Sequence, residues 1–223
     1  SRPPPAEFAA AYASAFADGA DGVVSVHLSA ELSGTCEAAA FAASEAPGPV
    51  AVVDSRSTAM GLGFAVLAAA EAAEAGGDLD AVAAAAVSTA ERTTTLFYVD
   101  TLEHLRRGGR IGAAAALLGT ALSVKPILHV LDGIVVVREK VRTTGRALAR
   151  IEDLAAEAAG YDGSDLAVHH LGSPDRAAEL QRRLLARIPK VGHVVTSEVG
   201  AVVGAHTGPG SLGVVVVRHA GKA

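Results

Sequence analysis

Short, continuously apolar segments alternate with alanine-rich segments in the N-terminal part of this 223-residue chain. Apolar runs at 22–28 and 50–53 predict strands, and the segments 36–43, 60–75 and 79–91 predict helices. A strand that is apolar throughout has no face suited to water, so it needs a covering layer on both sides. The alternation therefore predicts a parallel sheet covered by helices, an α/β arrangement.

The pattern changes in the remainder of the chain. Leu131-Asp132-Gly133 separates apolar runs at 124–130 and 134–138, and Asp-Gly between such runs is a strong hairpin signal. Further strands are predicted at 95–99, 166–171, 191–196 and 212–218, with helices at 102–107, 111–118, 146–159 and 174–188. We therefore expect an α/β fold of two lobes, a parallel-sheet three-layer lobe over residues 1–92 and a mixed-sheet lobe over residues 93–223, with a ligand cleft between them.

Charge is distributed unevenly along the chain, although the net charge is only −5. Residues 1–105 carry 3 basic and 14 acidic side chains, whereas residues 106–150, the cationic segment, carry 9 basic and 2 acidic ones. Such a segment suits an acidic partner, a phosphate or nucleic acid, or is ordinary solvated surface. Nucleic acid is the least favoured partner, because the chain is acidic overall and has few aromatic residues to stack on bases.

Composition narrows the class of protein further. No apolar run approaches the ~20 residues of a membrane span, and no basic-then-apolar leader opens the sequence. Cys36 is the single cysteine, which fits a reducing compartment. His169 and His170 are adjacent, so in a strand they point to opposite faces and make a poor metal pair. We expect a cytoplasmic protein without a membrane span, a metal or a cofactor.

A polar turn joins the first predicted strand to the helix at 36–43. Ser33, Gly34 and Thr35 lie there, where hydroxyl donors, a close backbone approach and a helix N-terminus together favour an anion. The alternative is that Ser33 only caps the helix. Asp54 follows the next strand, where it either lines the same sheet edge or closes its own turn.

A glycine-dense segment, residues 202–213, surrounds His206. Because glycine permits conformations that other residues avoid, we interpret the segment as a turn that presents His206 to a cleft. A solvated loop histidine is the alternative. Gly208, Gly210 and Gly213 also spell the dinucleotide motif G-x-G-x-x-G, but an apolar strand follows where that motif requires a helix, so we reject such a site.

Arg110 follows two glycines and is suited to bridging the lobes or orienting His206, with a structural ion pair as the alternative. Taken together, Ser33, Gly34, Thr35, Arg110 and His206 describe a small polar anion site. The abundant Ala, Val and Leu side chains can supply an apolar cavity behind it. A site of this kind suits a lipid with a carboxylate head.

Six segments in this order carry a family resemblance, and they span nearly the whole chain: Leu32-Ser33-Gly34-Thr35, Val53-Asp54-Ser55, Leu102-Glu103-His104-Leu105-Arg106-Arg107-Gly108-Gly109-Arg110-Ile111, Lys125-Pro126-Ile127-Leu128, Lys140-Val141-Arg142 and Gly204-Ala205-His206-Thr207-Gly208-Pro209-Gly210. With these motifs the chain resembles the DegV family of fatty-acid-binding proteins. That family includes the fatty-acid carrier subunits of bacterial fatty acid kinase.

The resemblance implies a non-catalytic carrier of a long-chain fatty acid. The carboxylate would lie near Ser33 and close to His206, supported by Arg110, while a separate ATP-binding kinase subunit phosphorylates the fatty acid. Arg142 would face the kinase or the acyl phosphate. Family members also carry an N-terminal strand and a Thr-Ser-x-Pro segment whose threonine helps to hold the carboxylate. Only the remainder of that segment matches here, at residues 1–4.

Two alternatives belong to other function classes. With Ser33 as nucleophile, His206 as base and Asp54 orienting the histidine, the chain would be a serine hydrolase or acyltransferase. Against this, Leu-Ser-Gly-Thr lacks the G-x-S-x-G elbow that exposes such a nucleophile. The other alternative is an interaction module whose cleft binds nothing.

Overall fold

The computed structural model describes residues 2–117 and 124–221. The chain divides into two compact units, Ser1–Glu91 and Arg92–Ala223. Each unit has its own hydrophobic cluster. We describe them in turn.

The N-terminal unit contains a two-stranded parallel sheet with helices. Its elements are α1 (Pro5–Ala17), β1 (Val23–His27), α2 (Thr35–Ala43), β2 (Val50–Asp54), α3 (Met60–Glu74) and α4 (Leu79–Glu91). The strands pair in parallel from Val23 opposite Val50 to His27 opposite Asp54. The predicted parallel pairing is confirmed, and it brings the carboxyl ends of both strands to one edge of the sheet.

Alanine dominates the core of this unit. Its buried cluster consists of Val53, Ala65, Ala69, Val82 and Ala86, contributed by β2, α3 and α4. Alanine side chains let helices approach closely, but each buries only about one carbon, worth roughly 0.8 kcal/mol. The alanine-rich helices therefore stabilise the unit chiefly by close packing, with only Phe64 and Tyr12 as large buried side chains among its described residues.

The C-terminal unit contains a six-stranded sheet in the order β5-β4-β3-β8-β6-β7. Its elements are β3 (Thr93–Tyr98), α5 (Glu103–Arg107), a 3-10 helix (Gly112–Leu117), β4 (Lys125–Leu131), β5 (Ile134–Val141), α6 (Thr144–Ala159), β6 (Ser164–His170), α7 (Pro174–Arg187), β7 (Val191–Glu198), α8 (Ala201–Thr207) and β8 (Leu212–Arg218). The pair β6 and β7 is parallel and the other pairs are antiparallel. The mixed sheet and the hairpin are confirmed. The helix predicted at 111–118 is a 3-10 helix, and residue 118 lies outside the described residues.

The uninterrupted valine run near the end of the sequence forms strand β8. It lies between β3 and β6, and Val214, Val215 and Val216 are all at most 1% exposed. The amphipathic helices α6 and α7 contribute Ile151 and Leu184 to the same cluster. Each such large apolar side chain contributes about 1.5–3 kcal/mol by burial. A central, two-sided strand thus anchors this unit.

Helix α8 corrects the prediction of a turn around His206. Residues 201–207 are helical, with Gly200 as N-cap and Gly208, at φ +74°, as C-cap. The positive φ at Gly208 is a conformation that glycine adopts far more readily than other residues, and the helix ends there. The two bounding glycines gave the segment a turn-like composition, while the residues between them continue a helix. Residues 208–211 then connect this helix to strand β8, which is the reverse of the order in a dinucleotide-binding turn.

Candidate functional site

The turn that carries Ser33 is pinned by backbone hydrogen bonds. The N–H groups of Leu32 and Ser33 donate to the carbonyl of Ser29, at 3.0 and 3.1 Å. Ser29 is fully buried, and its own N–H donates to the carbonyl of Ser57 at 2.9 Å, which ties the turn to the loop after β2. The sequence between β1 and α2 therefore holds Ser33 in a fixed position.

Ser33 uses its hydroxyl group differently from a helix cap. Its Oγ lies 2.8 Å from Oγ1 of Thr35, whereas Gly34 is the N-cap residue of α2 and α2 has no side-chain cap. The capping alternative for Ser33 is therefore wrong. One hydroxyl of such a pair donates to the other, so one hydroxyl hydrogen stays available for an acceptor such as a carboxylate oxygen.

A cation that the sequence analysis did not predict lies over this turn. Arg2 donates from Nη1 to the Gly34 carbonyl, at 3.4 Å, and pairs with Glu37 at 3.2 Å. A Cβ atom at Gly34 would lie only 2.0 Å from the same Nη1 atom, so glycine is what allows the guanidinium this close. No sequence spacing links Arg2 to Gly34, because the contact depends on how the segment before α1 packs.

Asp54 closes its own turn and also contacts the neighbouring one. Its Oδ1 accepts from the N–H of Arg56 at 2.8 Å, the turn-closing role, and its Oδ2 accepts from the N–H of Ala30 at 3.3 Å. The second bond places Asp54 at the same sheet edge as the Ser33 turn, as predicted. Asp54 therefore has both predicted roles, because it lines the sheet edge and closes its own turn.

A serine–histidine pair in this unit was also not predicted. Ser25 Oγ lies 2.7 Å from His27 Nε2, and the Tyr12 hydroxyl donates to Ser25 Oγ at 2.9 Å. Phe8 packs its ring edge-on to His27 with centroids 5.3 Å apart, and burial lowers the pKa of His27. Tyr12 itself is only 3% exposed, so it covers Ser25 and fastens α1 to β1. The Ser25 hydroxyl thus pairs with His27, whereas the Ser33 hydroxyl pairs with Thr35 rather than with a histidine.

In the C-terminal unit, His206 and Arg110 meet around Gly108. A Cβ atom at Gly108 would lie 2.0 Å from His206 Nδ1, so the imidazole rests directly on the glycine α-carbon. Arg110 donates from Nη1 to the Gly108 carbonyl at 2.7 Å. Burial lowers the pKa of His206, and the Arg110 charge lowers it further. The lowered pKa favours a neutral ring at pH 7. His206 and Arg110, two of the predicted ligand residues, thus both contact Gly108.

The cationic segment divides into paired and unpaired side chains. Arg106 and Arg107 bind Glu103, whose pKa falls to about 2, and Arg150 binds Glu139, Asp153 and Glu157. Within the described part of the cationic segment, the side chains that are exposed and form no ion pair, here the exposed cations, are Arg138, Lys140, Arg142 and Arg146. The first three lie on or directly after β5, at the edge of the sheet. Arg142, the predicted partner-facing residue, is therefore accessible.

Residues 2–117 and 124–221 contain neither a metal-binding cluster nor a membrane-spanning helix. No group of three or more His, Cys, Asp or Glu side chains there has an arrangement that would hold a metal ion. None of the described helices combines the length and the apolar character that a membrane crossing requires. A polar cavity of about 540 Å³ in the C-terminal unit contains none of the predicted ligand residues, being lined by Arg92, Gly160, Tyr161, Asp162, Arg218, His219, Ala220 and Gly221.

The model of the DegV family, described as "uncharacterised protein, DegV family", matches residues 1–219. The chain belongs to the DegV family. A DegV domain-containing protein of Streptomyces coelicolor is 58% identical to this DegV chain over 216 residues, which are 97% of this chain and 77% of that relative. The resemblance inferred from the six motifs is thus confirmed.

Solved structures of the DegV family share this fold. A DegV protein from Thermus thermophilus, described for its fatty acid binding, superposes with a TM-score of 0.92 at 38% identity, covering 98% of this chain and 78% of that one. DegV of Bacillus subtilis, described as a fatty acid binding protein, superposes with a TM-score of 0.88 at 35% identity, covering 97% and 77%. The predicted two-lobe α/β class is therefore the class of its relatives.

Proposed function

We propose that this chain is a fatty-acid carrier that binds a long-chain fatty acid through its carboxylate and buries the acyl chain. The observation that carries the proposal is the likeness to the T. thermophilus DegV protein, which extends over 98% of this chain and is described for fatty acid binding. The proposal treats the chain as a lipid-binding protein without catalytic residues of its own.

The proposed head-group site uses residues that match the family motifs and can donate hydrogen bonds. A carboxylate only accepts, so it needs donors. The Ser33–Thr35 pair has a spare hydroxyl hydrogen, Arg110 is always charged, and a neutral His206 has one ring N–H. Gly34 has no side chain, which lets the Arg2 guanidinium lie against the turn. We propose that Ser33, Gly34, Thr35, Arg110 and His206 share this role.

We further propose that the carrier presents its fatty acid to a separate ATP-binding kinase subunit in the cytoplasm, where an acyl phosphate is formed. The exposed cations support this, because four accessible positive charges favour an acidic protein surface. Arg142 is the one that lies in a family motif, directly after β5. The proposal assigns it to the partner or to the new phosphate rather than to the carboxylate.

Comparing a long-chain fatty acid with its methyl ester tests the carboxylate assignment. The ester keeps the acyl chain but loses the charge, so we expect the chain to bind it at least about tenfold more weakly, since hydrogen bonds to charged groups are worth about 1.5–3 kcal/mol. Competition against a fluorescent fatty acid measures both affinities. Equal affinities would mean that the head group is not recognised, and no binding of either would remove the carrier function.

A further inference from the structure

One ring nitrogen of His206 lacks a hydrogen-bond partner among the described residues. Nδ1 is buried, and it has no hydrogen-bond partner among the residues that the structure describes. A buried N–H group without an acceptor is rare in folded proteins, whereas an unprotonated nitrogen leaves only a lone pair unsatisfied. The surroundings of Nδ1 therefore favour the ring form that has no proton there.

The contact with Gly108 points to the same ring form. The glycine hydrogen that occupies the Cβ direction points at the ring, since a Cβ atom there would lie 2.0 Å from Nδ1 and 2.5 Å from Cε1. A C–H group can make a weak hydrogen bond to a lone pair, but it would meet the hydrogen of a protonated Nδ1 head-on. Gly108 thus matches an unprotonated Nδ1.

The remaining ring nitrogen must then carry the proton of the neutral imidazole. His206 Nε2 is not among the buried, unpartnered atoms found in the described residues. A proton on Nε2 makes this nitrogen a hydrogen-bond donor. The neutral ring can therefore offer one N–H to an anionic oxygen without being charged.

The seat for this ring is built by two helix ends that interlock. The N–H of Gly108 donates to the His104 carbonyl at 2.9 Å, and that of Gly208 donates to the Gly204 carbonyl at 2.8 Å, so each glycine ends its helix. The His104 ring lies on Gly208, where a Cβ atom would be 2.3 Å from Cδ2. The C-terminal end of α5 thus accommodates His206 of α8. The C-terminal end of α8 accommodates His104 of α5.

We propose that Gly108 is a positioning residue, whose bare α-carbon seats the His206 ring and fixes the tautomer with the proton on Nε2. His206 Nε2 then points its N–H at an acidic oxygen of the ligand. The identity of that oxygen as a fatty-acid carboxylate rests on the proposed function, whereas the seat and the tautomer do not.

Nitrogen NMR of the histidine rings tests the tautomer directly. In the full chain labelled with ¹⁵N-histidine, the ring signals lost in His206→Gln identify His206. At pH 7 we expect a protonated Nε2 and an unprotonated Nδ1. A proton on Nδ1, or a doubly protonated ring, would overturn the proposal whether or not the protein binds a fatty acid.

Two glycine-to-alanine variants test whether Gly108 seats the His206 ring. Gly108 has φ −76° and ψ −7°, a helical conformation that alanine adopts easily, so the main obstacle to Gly108→Ala is the His206 ring. Gly145→Ala is the matched control, because a Cβ atom there meets nothing within 4 Å. We expect Gly108→Ala to shift the His206 ring signals and to weaken binding of a long-chain fatty acid roughly tenfold, with Gly145→Ala unchanged in both.

The double variant Gly108→Ala with His206→Ala distinguishes a positioning role of Gly108 from general damage to the fold. If Gly108 acts only through the ring, then Gly108→Ala adds nothing to the loss already caused by His206→Ala. Wild-type ring signals in a folded Gly108→Ala protein, or fully additive losses, would refute the role of Gly108. If the seat is confirmed by NMR but His206→Ala binds fatty acid like the wild type, it is the proposed carboxylate role of His206 that fails.

Discussion

At the residue scale, the paired hydroxyl groups of Ser33 and Thr35 support the proposed head-group site. Their hydroxyl groups lie 2.8 Å apart and satisfy each other with one hydrogen, which leaves the second hydrogen for a ligand. The backbone hydrogen bonds of the turn hold this donor in place. A hydroxyl that is positioned in advance binds with less loss of side-chain entropy than a free one.

Ser33→Ala tests this role. Removing the hydroxyl leaves one carboxylate oxygen without its partner, so we expect fatty-acid affinity to fall by about 1–3 kcal/mol, or roughly 5- to 150-fold. Titration with a fluorescent fatty acid measures the change. Ser14→Ala, at an exposed position of α1, serves as the control and should bind like the wild type. Wild-type affinity in Ser33→Ala would contradict the assignment of the carboxylate to this turn.

Sequence reasoning identified residues whose roles follow from their place after a strand, and it missed those that depend on packing. Ser33 and Asp54 were predicted from the carboxyl ends of β1 and β2, and the Asp54–Ala30 hydrogen bond bears out their common edge. By contrast, Tyr12 reaches Ser25 only because α1 packs on β1. No local spacing encodes such a contact, so only a three-dimensional structure reveals it.

At the scale of elements, the hydrophobic pattern predicted whether a segment is a helix or a strand more accurately than the residues at which it begins and ends. Strand β8 was predicted with its observed bounds, because an uninterrupted valine run between a glycine and Arg218 permits only one interpretation. Helix α8 was not predicted, since with seven residues and glycine at both ends it is too short to show a helical period. The charge pattern likewise gave no sign that Arg150 pairs with Glu139, because the two residues are eleven positions apart in the sequence.

The exposed cations lead to a prediction about the proposed kinase partner. Arg142→Glu introduces repulsion toward an acidic surface, so we expect kinase-dependent phosphorylation of the bound fatty acid to fall roughly tenfold at low salt, with a smaller effect at high salt. Fatty-acid binding should stay unchanged. The measurement pairs a phosphorylation assay, using the kinase subunit as partner, with a binding titration.

Arg182→Glu is the control for this experiment, because Arg182 is an exposed arginine of α7 outside the cationic segment. It should leave both measurements close to the wild type. Loss of fatty-acid binding in Arg142→Glu would instead assign Arg142 to the ligand. An unchanged phosphorylation rate would remove it from the partner surface.

At the scale of the whole molecule, the two units have different cores. The N-terminal unit relies on alanine packing around two strands, whereas the C-terminal unit buries large side chains between its six-stranded sheet and helices α6 and α7. A ligand that binds only the folded chain adds stability, by about 2.7 kcal/mol when its concentration is a hundred times the dissociation constant. Bound fatty acid would therefore stabilise this protein against thermal unfolding as well as being its cargo.

Native mass spectrometry of the purified chain, before and after incubation with an equimolar long-chain fatty acid, tests the central claim most directly. The account predicts a complex of one fatty acid per chain, which persists when a methyl ester of the same length is offered in competition. A chain that stays free of fatty acid under both conditions, while remaining folded, would contradict the carrier function.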